Sequence, residues 1–297
     1  MPLASKILHI LFTQRKYFLT DSANTEWDVV LKMKVGPENP ALGHAEGIHW
    51  HINSDIKIEY RANEKRDTVF WVKVINSKTG KETIFHDEAL TIYQDSIDKI
   101  AIRTMDCMDC HNRPAHEYRS PSYFVNKLLI SKQIPASLPW IKKFAMEAIC
   151  SKEFSNSDSA KAGIYSYITK AYQKDYPEIF RKYKKEISEA ITLIQEEFSY
   201  NAFPEMKINY TTYPRHIGHL ETNGCFRCHN NTFKSEDGKV IPKDCDLCHT
   251  ILAQGISDTI KYTNINQSLE FSHPVNVGDI WKEAHCRDCH NELYKVL

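Results

Sequence analysis

Hydrophobic positions change their spacing along this chain. From about residue 46 to 95 the pattern is β-like. DIKIEY and TVFWVKVI have strand composition, and INSKTGKETIF reads as a hairpin turning at Ser77–Gly80. From 121 to 205 the spacing becomes helical. LPWIKKFAMEAIC predicts an amphipathic helix with Pro139 in its first turn. NSDSAKAGIYSYITKAYQKDY opens with Ser/Asp capping chemistry. PEIFRKYKKEISEAITLIQEEFSY predicts one helix from Pro177, with Ile179, Phe180, Tyr183, Ile187, Ile191 and Ile194 on a single apolar stripe. Residues 1 to about 35 carry no clear signal, and NNTFKSEDGKVIPKD reads as a turn-rich loop. The expected fold class is α+β in four segments: a poorly defined 1–45, a β-rich 46–120, a helical scaffold 121–205, and an irregular 206–297 with little regular structure.

Composition narrows the function classes. Lys plus Arg and Asp plus Glu are both 38, so a polyanion-binding surface is not indicated and nucleic acid is a poor partner. No run reaches the roughly 18 apolar residues of a membrane-spanning helix. The start, MPLASKILHILF, contains His9 and lacks a small-residue cleavage site, so it does not read as a signal peptide.

Cysteine and histidine change the picture most. CMDCH (107–111), CFRCH (225–229), CDLCH (245–249) and CRDCH (286–290) use eight of the nine cysteines, leaving Cys150. Composition places His after a given residue about one time in twenty, so four of four is not chance. A redox dithiol needs one C-x-x-C and no following His. Two zinc ribbons would use the cysteines, and the 225/245 pair has suitable spacing, but zinc leaves the fifth-position His unexplained. A covalently held haem explains all three residues: Cys107 and Cys110, Cys225 and Cys228, Cys245 and Cys248, Cys286 and Cys289 bond the vinyl groups, and His111, His229, His249 and His290 become proximal iron ligands. Four haem c groups (iron) are the expected cofactors.

Ten histidines remain for the distal axial positions: His9, His44, His49, His51, His86, His116, His216, His219, His273 and His285. Met206 is the one methionine candidate, so bis-histidine ligation is expected. His49 and His51 in GIHWHI share one face if this is a strand. His116 follows a proximal His by five residues, His216 and His219 precede the second motif, His273 follows Phe271 by two, and His285 abuts Cys286. His9 and His86 are read as non-ligands, and His44 is open.

MDCMDCHNRPAHEYRSP, GIHWHI, SLPWIKKF, GHLETNGCFRCHNNTFKSEDGKVIPKDCDLCHTIL and FSHP together resemble the membrane-associated multihaem c-type cytochromes of the NapC/NirT-like class, over about 44 to 290. The resemblance implies His116, His219 and His273 as distal ligands, with one of His49 and His51. In that class a membrane anchor and further haem motifs precede this region; no anchor is visible here.

The expected function is a tetrahaem c-type cytochrome that hops electrons between bis-His haems in a bacterial respiratory chain. Four haems add roughly eight propionate charges, which makes an acidic holoprotein and favours small, transient docking with redox partner proteins. Such partners include a membrane quinol-oxidising or terminal reductase system. Two alternatives differ in class: a multihaem reductase of a small nitrogen or sulfur oxyanion with one open iron, and a subunit of a haem filament or complex, joined through His44 or His285. Covalent haem attachment places the chain on the periplasmic or extracytoplasmic side, so an export signal or anchor upstream of this N-terminus is expected.

Overall fold

A computed structural model of the chain describes residues 11–36, 47–90, 94–113 and 115–290. His44 lies outside them. The strands are β1 Leu11–Phe18, β2 Glu26–Met33, β3 Ile56–Ala62, β4 Val69–Asn76, β5 Glu82–Asp87, β6 Arg103–Thr104, β7 Phe233–Lys234, β8 His249–Ile256 and β9 Lys261–Tyr262. The helices are α1 Gln94–Asp98, α2 Cys107–Cys110, α3 Pro121–Ile130, α4 Ile141–Cys150, α5 Ser157–Asp175, α6 Pro177–Lys182, α7 Lys184–Asn201, α8 Ile280–Glu283 and α9 Cys286–His290. The class is α+β, with a C-terminal region that is largely irregular.

Two antiparallel sheets organise the motifs. One has the order β1-β2-β8-β9, the other β6-β3-β4-β5-β7. The β4–β5 hairpin turns where the sequence places it. The N-terminal stretch, which carries no clear sequence signal, forms β1 and β2. β2 pairs along β8, with Met33 opposite His249, so the third motif runs straight into a central strand. The segment after the second motif supplies β7, which pairs with β5. Phe233 of β7 is fully buried with Ile58, Tyr60, Val69, Val72 and Phe85, and so ties that motif to the second sheet's core.

The helices form a separate core. Ile164, Ile168 and Tyr172 of α5 and Ile187, Ile191 and Ile194 of α7 are buried against Phe124, Leu128, Ile141 and Ala145 of α3 and α4. Phe18 of β1 joins this core, and its main-chain carbonyl accepts from the buried Lys142 Nζ. Asn24 donates to the Ala136 and Leu138 carbonyls, both at 2.8 Å, and fastens the β1–β2 turn to the helices.

Three expectations need correction. The helix expected from Pro177 is two, α6 and α7, joined at Tyr183, whose φ −115°, ψ 32° bends the backbone. Ile187, Ile191 and Ile194 remain buried, while Ile179, Phe180 and Tyr183 only edge the core. Pro139 precedes α4 rather than lying in its first turn, because Trp140 takes a left-handed conformation at the N-cap (φ 61°). GIHWHI is a 3₁₀ turn over Gly47–Ile52, not a strand. Ile48 N–H and His49 N–H donate to the Lys34 and Val35 carbonyls, which curls the segment over the end of β2. His49 and His51 therefore do not share a face.

Candidate haem sites

Each C-x-x-C-H begins in a short helical turn, and the third passes at His249 into β8. His111 N–H donates to the Cys107 carbonyl at 2.7 Å, and His229 N–H to the Cys225 carbonyl at 3.1 Å. Cys248 N–H donates to the Cys245 carbonyl at 3.3 Å. The fourth motif is the helix α9 itself. In the fourth motif, α-helical throughout, residues i, i+3 and i+4 lie on one side, so both sulfurs and the imidazole share a face. All nine cysteines are free thiols. Burial pushes the Cys110, Cys245 and Cys286 thiols up, Cys228 to about 12 and Cys248 to about 11. A reactive dithiol needs the opposite shift. Among the described residues no group of three or more His, Cys, Asp or Glu is arranged to hold a bare metal ion.

The structure brings three proximal histidines against a second imidazole. His229 Nε2 lies 3.5 Å from His51 Nε2, with ring centroids 5.7 Å apart. His249 and His219 have centroids 6.2 Å apart, and His290 and His273 6.0 Å. Metal–imidazole bonds are about 2 Å, so two rings sharing one ion have nitrogens about 4 Å and centroids about 6 Å apart. The three pairs fit that spacing. Burial pushes His51, His229 and His249 below the ordinary histidine range. His219 and His290 are pushed down to about 4, by burial and then by the facing His249 and His273. All five are therefore neutral near pH 7, the state a metal ligand requires. Beside the fourth motif a cavity of about 620 Å³, lined by His273, Phe271, Trp281 and Leu269 among others, is large enough for a cofactor-sized ligand.

The remaining candidates are placed otherwise. His49 sits in the same turn as His51. His116 is exposed and packs on Tyr118 at 4.5 Å rather than against a motif histidine. His216 is buried, its Nδ1 donates to the Asp109 carbonyl at 3.0 Å, and its Nε2 has no hydrogen-bond partner. His285 lies 5.8 Å from the Phe226 ring. Met206 is 66% exposed. Of the proximal histidines, His111 alone is exposed.

Residues between the cysteines carry a second layer that spacing alone does not reveal. The buried Asp109 carboxylate accepts from Tyr60 Oη at 2.5 Å, Arg66 Nη1 at 2.7 Å and Asp106 N–H at 2.9 Å. Burial alone would raise its pKa, but these bonds and the Arg103 charge hold it below the usual carboxylate value. Arg227 of the second motif donates to the main chain of Asp109 and Arg66. Phe226 stacks on His219 at 4.4 Å and 14°. Lys243 Nζ lies over the Phe226 ring at 5.4 Å and donates to the Ala284 carbonyl at 2.7 Å, closing the end of α8 just before the fourth motif. Cys286 Sγ meets His219 Nδ1 at 3.6 Å. The four motifs thus form one contiguous assembly.

No family model matches this chain, and no solved structure matches it. It is 36% identical over 279 residues to the cytochrome c-type protein ImcH of Geobacter sulfurreducens. The alignment covers 92% of this chain and 53% of that protein, so the chain spans about half the length of the curated relative it matches. The likeness over nearly the whole chain, together with the four C-x-x-C-H turns, supports a c-type cytochrome.

Proposed function

We propose that this chain is a four-haem segment of a c-type cytochrome that passes electrons between closely packed irons. One observation carries this reading: three histidines of C-x-x-C-H motifs each face a second imidazole at the spacing that shared ligation of one iron would need. In this reading His51, His219 and His273 are the distal partners of His229, His249 and His290. Bound haem supplies the one-electron chemistry. At these three sites the paired imidazoles would hold the iron from both sides, which would leave no room there for a substrate. The NapC/NirT-like resemblance, periplasmic or extracytoplasmic placement, and small redox proteins as partners belong to the same proposal.

The reductase alternative has one place among the described residues. His111 is exposed, so the first motif is where an open iron would sit. The denatured intact mass of protein exported with a cytochrome c maturation system tests the proposal. Four haem increments with only low-spin signals support electron transfer. A bare polypeptide mass sinks it, and a high-spin signal assigned to the first motif favours the reductase.

A further inference from the structure

The imidazole pairs differ in what stands behind them. Nδ1 of His51 meets the Ile48 carbonyl at 2.7 Å, and Nδ1 of His229 meets the Pro242 carbonyl at 3.0 Å. A carbonyl only accepts, so Nδ1 carries the proton in both rings and each Nε2 presents its lone pair. The His219/His249 pair is built differently. Among the described residues, Nδ1 of His249 is buried with no hydrogen-bond partner. Nδ1 of His219 meets Cys286 Sγ, and a thioether sulfur at that position is a weak acceptor.

We propose that the His219/His249 site is the electron-accepting neighbour of the His51/His229 site, with Phe226 as the positioning residue that holds His219. The proposal rests on the reading of the motifs as haem sites. A carbonyl behind an axial imidazole makes it a stronger donor and favours ferric iron; without one, ferrous iron is favoured. With haem bound, the second site would give up one electron and the third would take it, with no bond formed or broken, His51 and His229 holding one iron and His219 and His249 the other. With no carbonyl to orient it, the His219 ring takes its plane from Phe226, which stacks nearly parallel on it. The other motifs carry Met108, Asp246 and Arg287 at the position of Phe226, so this support is particular to the second motif.

The test is a potentiometric titration of exported holoprotein, followed by low-spin electron paramagnetic resonance. The double variant Cys245→Ala/Cys248→Ala should delete a component that reduces at higher potential than the one deleted by Cys225→Ala/Cys228→Ala. The reverse order overturns the proposal. Two milder variants keep the test open should those fail to fold. His51→Ala marks the second motif's component by turning it high-spin. Phe226→Leu, with four haems retained, should shift one low-spin signal, belonging to a component of higher potential than the marked one, and Phe226→Tyr should restore it. An unmoved spectrum, or a shift in a lower component, overturns the proposal while four haem increments in the denatured mass leave the haem reading standing. A bare polypeptide mass overturns both.

Discussion

Arg227 Nη2 donates to the main-chain carbonyl of Asp109 at 3.1 Å, so the residue before the second cysteine of one motif is bonded to its counterpart in another. The same guanidinium reaches the Arg66 carbonyl at 2.6 Å and the Gly224 carbonyl at 2.8 Å. One planar fork thus serves three carbonyls, a task an ammonium cannot copy. Arg227→Met keeps the apolar stem and removes every donor. Leaving such carbonyls unpaired should cost about 1–3 kcal/mol, read as a lower denaturant midpoint at unchanged slope. Arg227→Lys should recover less than half of the loss; full recovery would mean that the fork geometry is immaterial.

Asp109 should give the fold an acid-sensitive contribution. Its carboxyl titrates below the ordinary value when folded, because the Tyr60, Asp106 and Arg66 hydrogen bonds and the Arg103 charge outweigh the burial penalty. The stabilisation is therefore complete above the unfolded carboxylate pKa of about 4 and fades as pH falls through the lower folded value. Asp109→Asn should be less stable at pH 7 by about 2–3 kcal/mol, under the fully buried figure because both arginines are partly solvated. Its unfolding free energy should also fall less steeply than wild type below about pH 4. Parallel acid limbs for the two proteins would refute the assignment.

His49 and His51 separate cleanly. His51 faces His229 through Nε2 and is braced by the Ile48 carbonyl. His51→Ala should therefore open one axial position and produce a high-spin signal equal to about a quarter of the haem, whereas His49→Ala should leave the spectrum low-spin. A high-spin signal from His49→Ala alone would reverse the two roles.

The four C-x-x-C-H motifs are legible in sequence because local spacing alone defines them, whereas His219, His273 and one of His49 and His51 enter as distal ligands only through the resemblance, which also named His116. The pairing was not legible. His51 and His229 are 178 positions apart, and they meet because the Gly47–Ile52 turn folds back over β2 while β7 docks the segment after the second motif onto β5. β1 and β2 were illegible for a related reason. LFTQRKYF and EWDVVLKM alternate only loosely, and it is partnership with β8 that makes them a sheet. The helix α3 was signalled by Ser120 as N-cap and Pro121 in its first turn, a capping pattern that apolar spacing alone does not expose. Asp109 and Arg227 looked like filler between cysteines, since nothing local shows that one is buried and the other reaches across to it.

The helical scaffold should be energetically separable from the haem sites. Ile168 of α5 has no exposed surface and packs in a core that contains no motif residue. Ile168→Ala removes buried methylenes and leaves a cavity that α4 and α7 can only partly close, at a cost of about 2–5 kcal/mol. In the proposed reading haem attaches at 107–111, 225–229, 245–249 and 286–290, none of which contributes to that core. The variant should melt earlier yet keep the wild-type denatured mass and the wild-type reduction curve. A shifted reduction curve at full haem loading would show that helical packing reaches the irons, for instance through Phe18 of β1, buried in the helical core, and the strand pair that runs from it to β8 and His249, or through the Ser120 hydroxyl of the α3 N-cap, which donates to Glu221 just before the second motif.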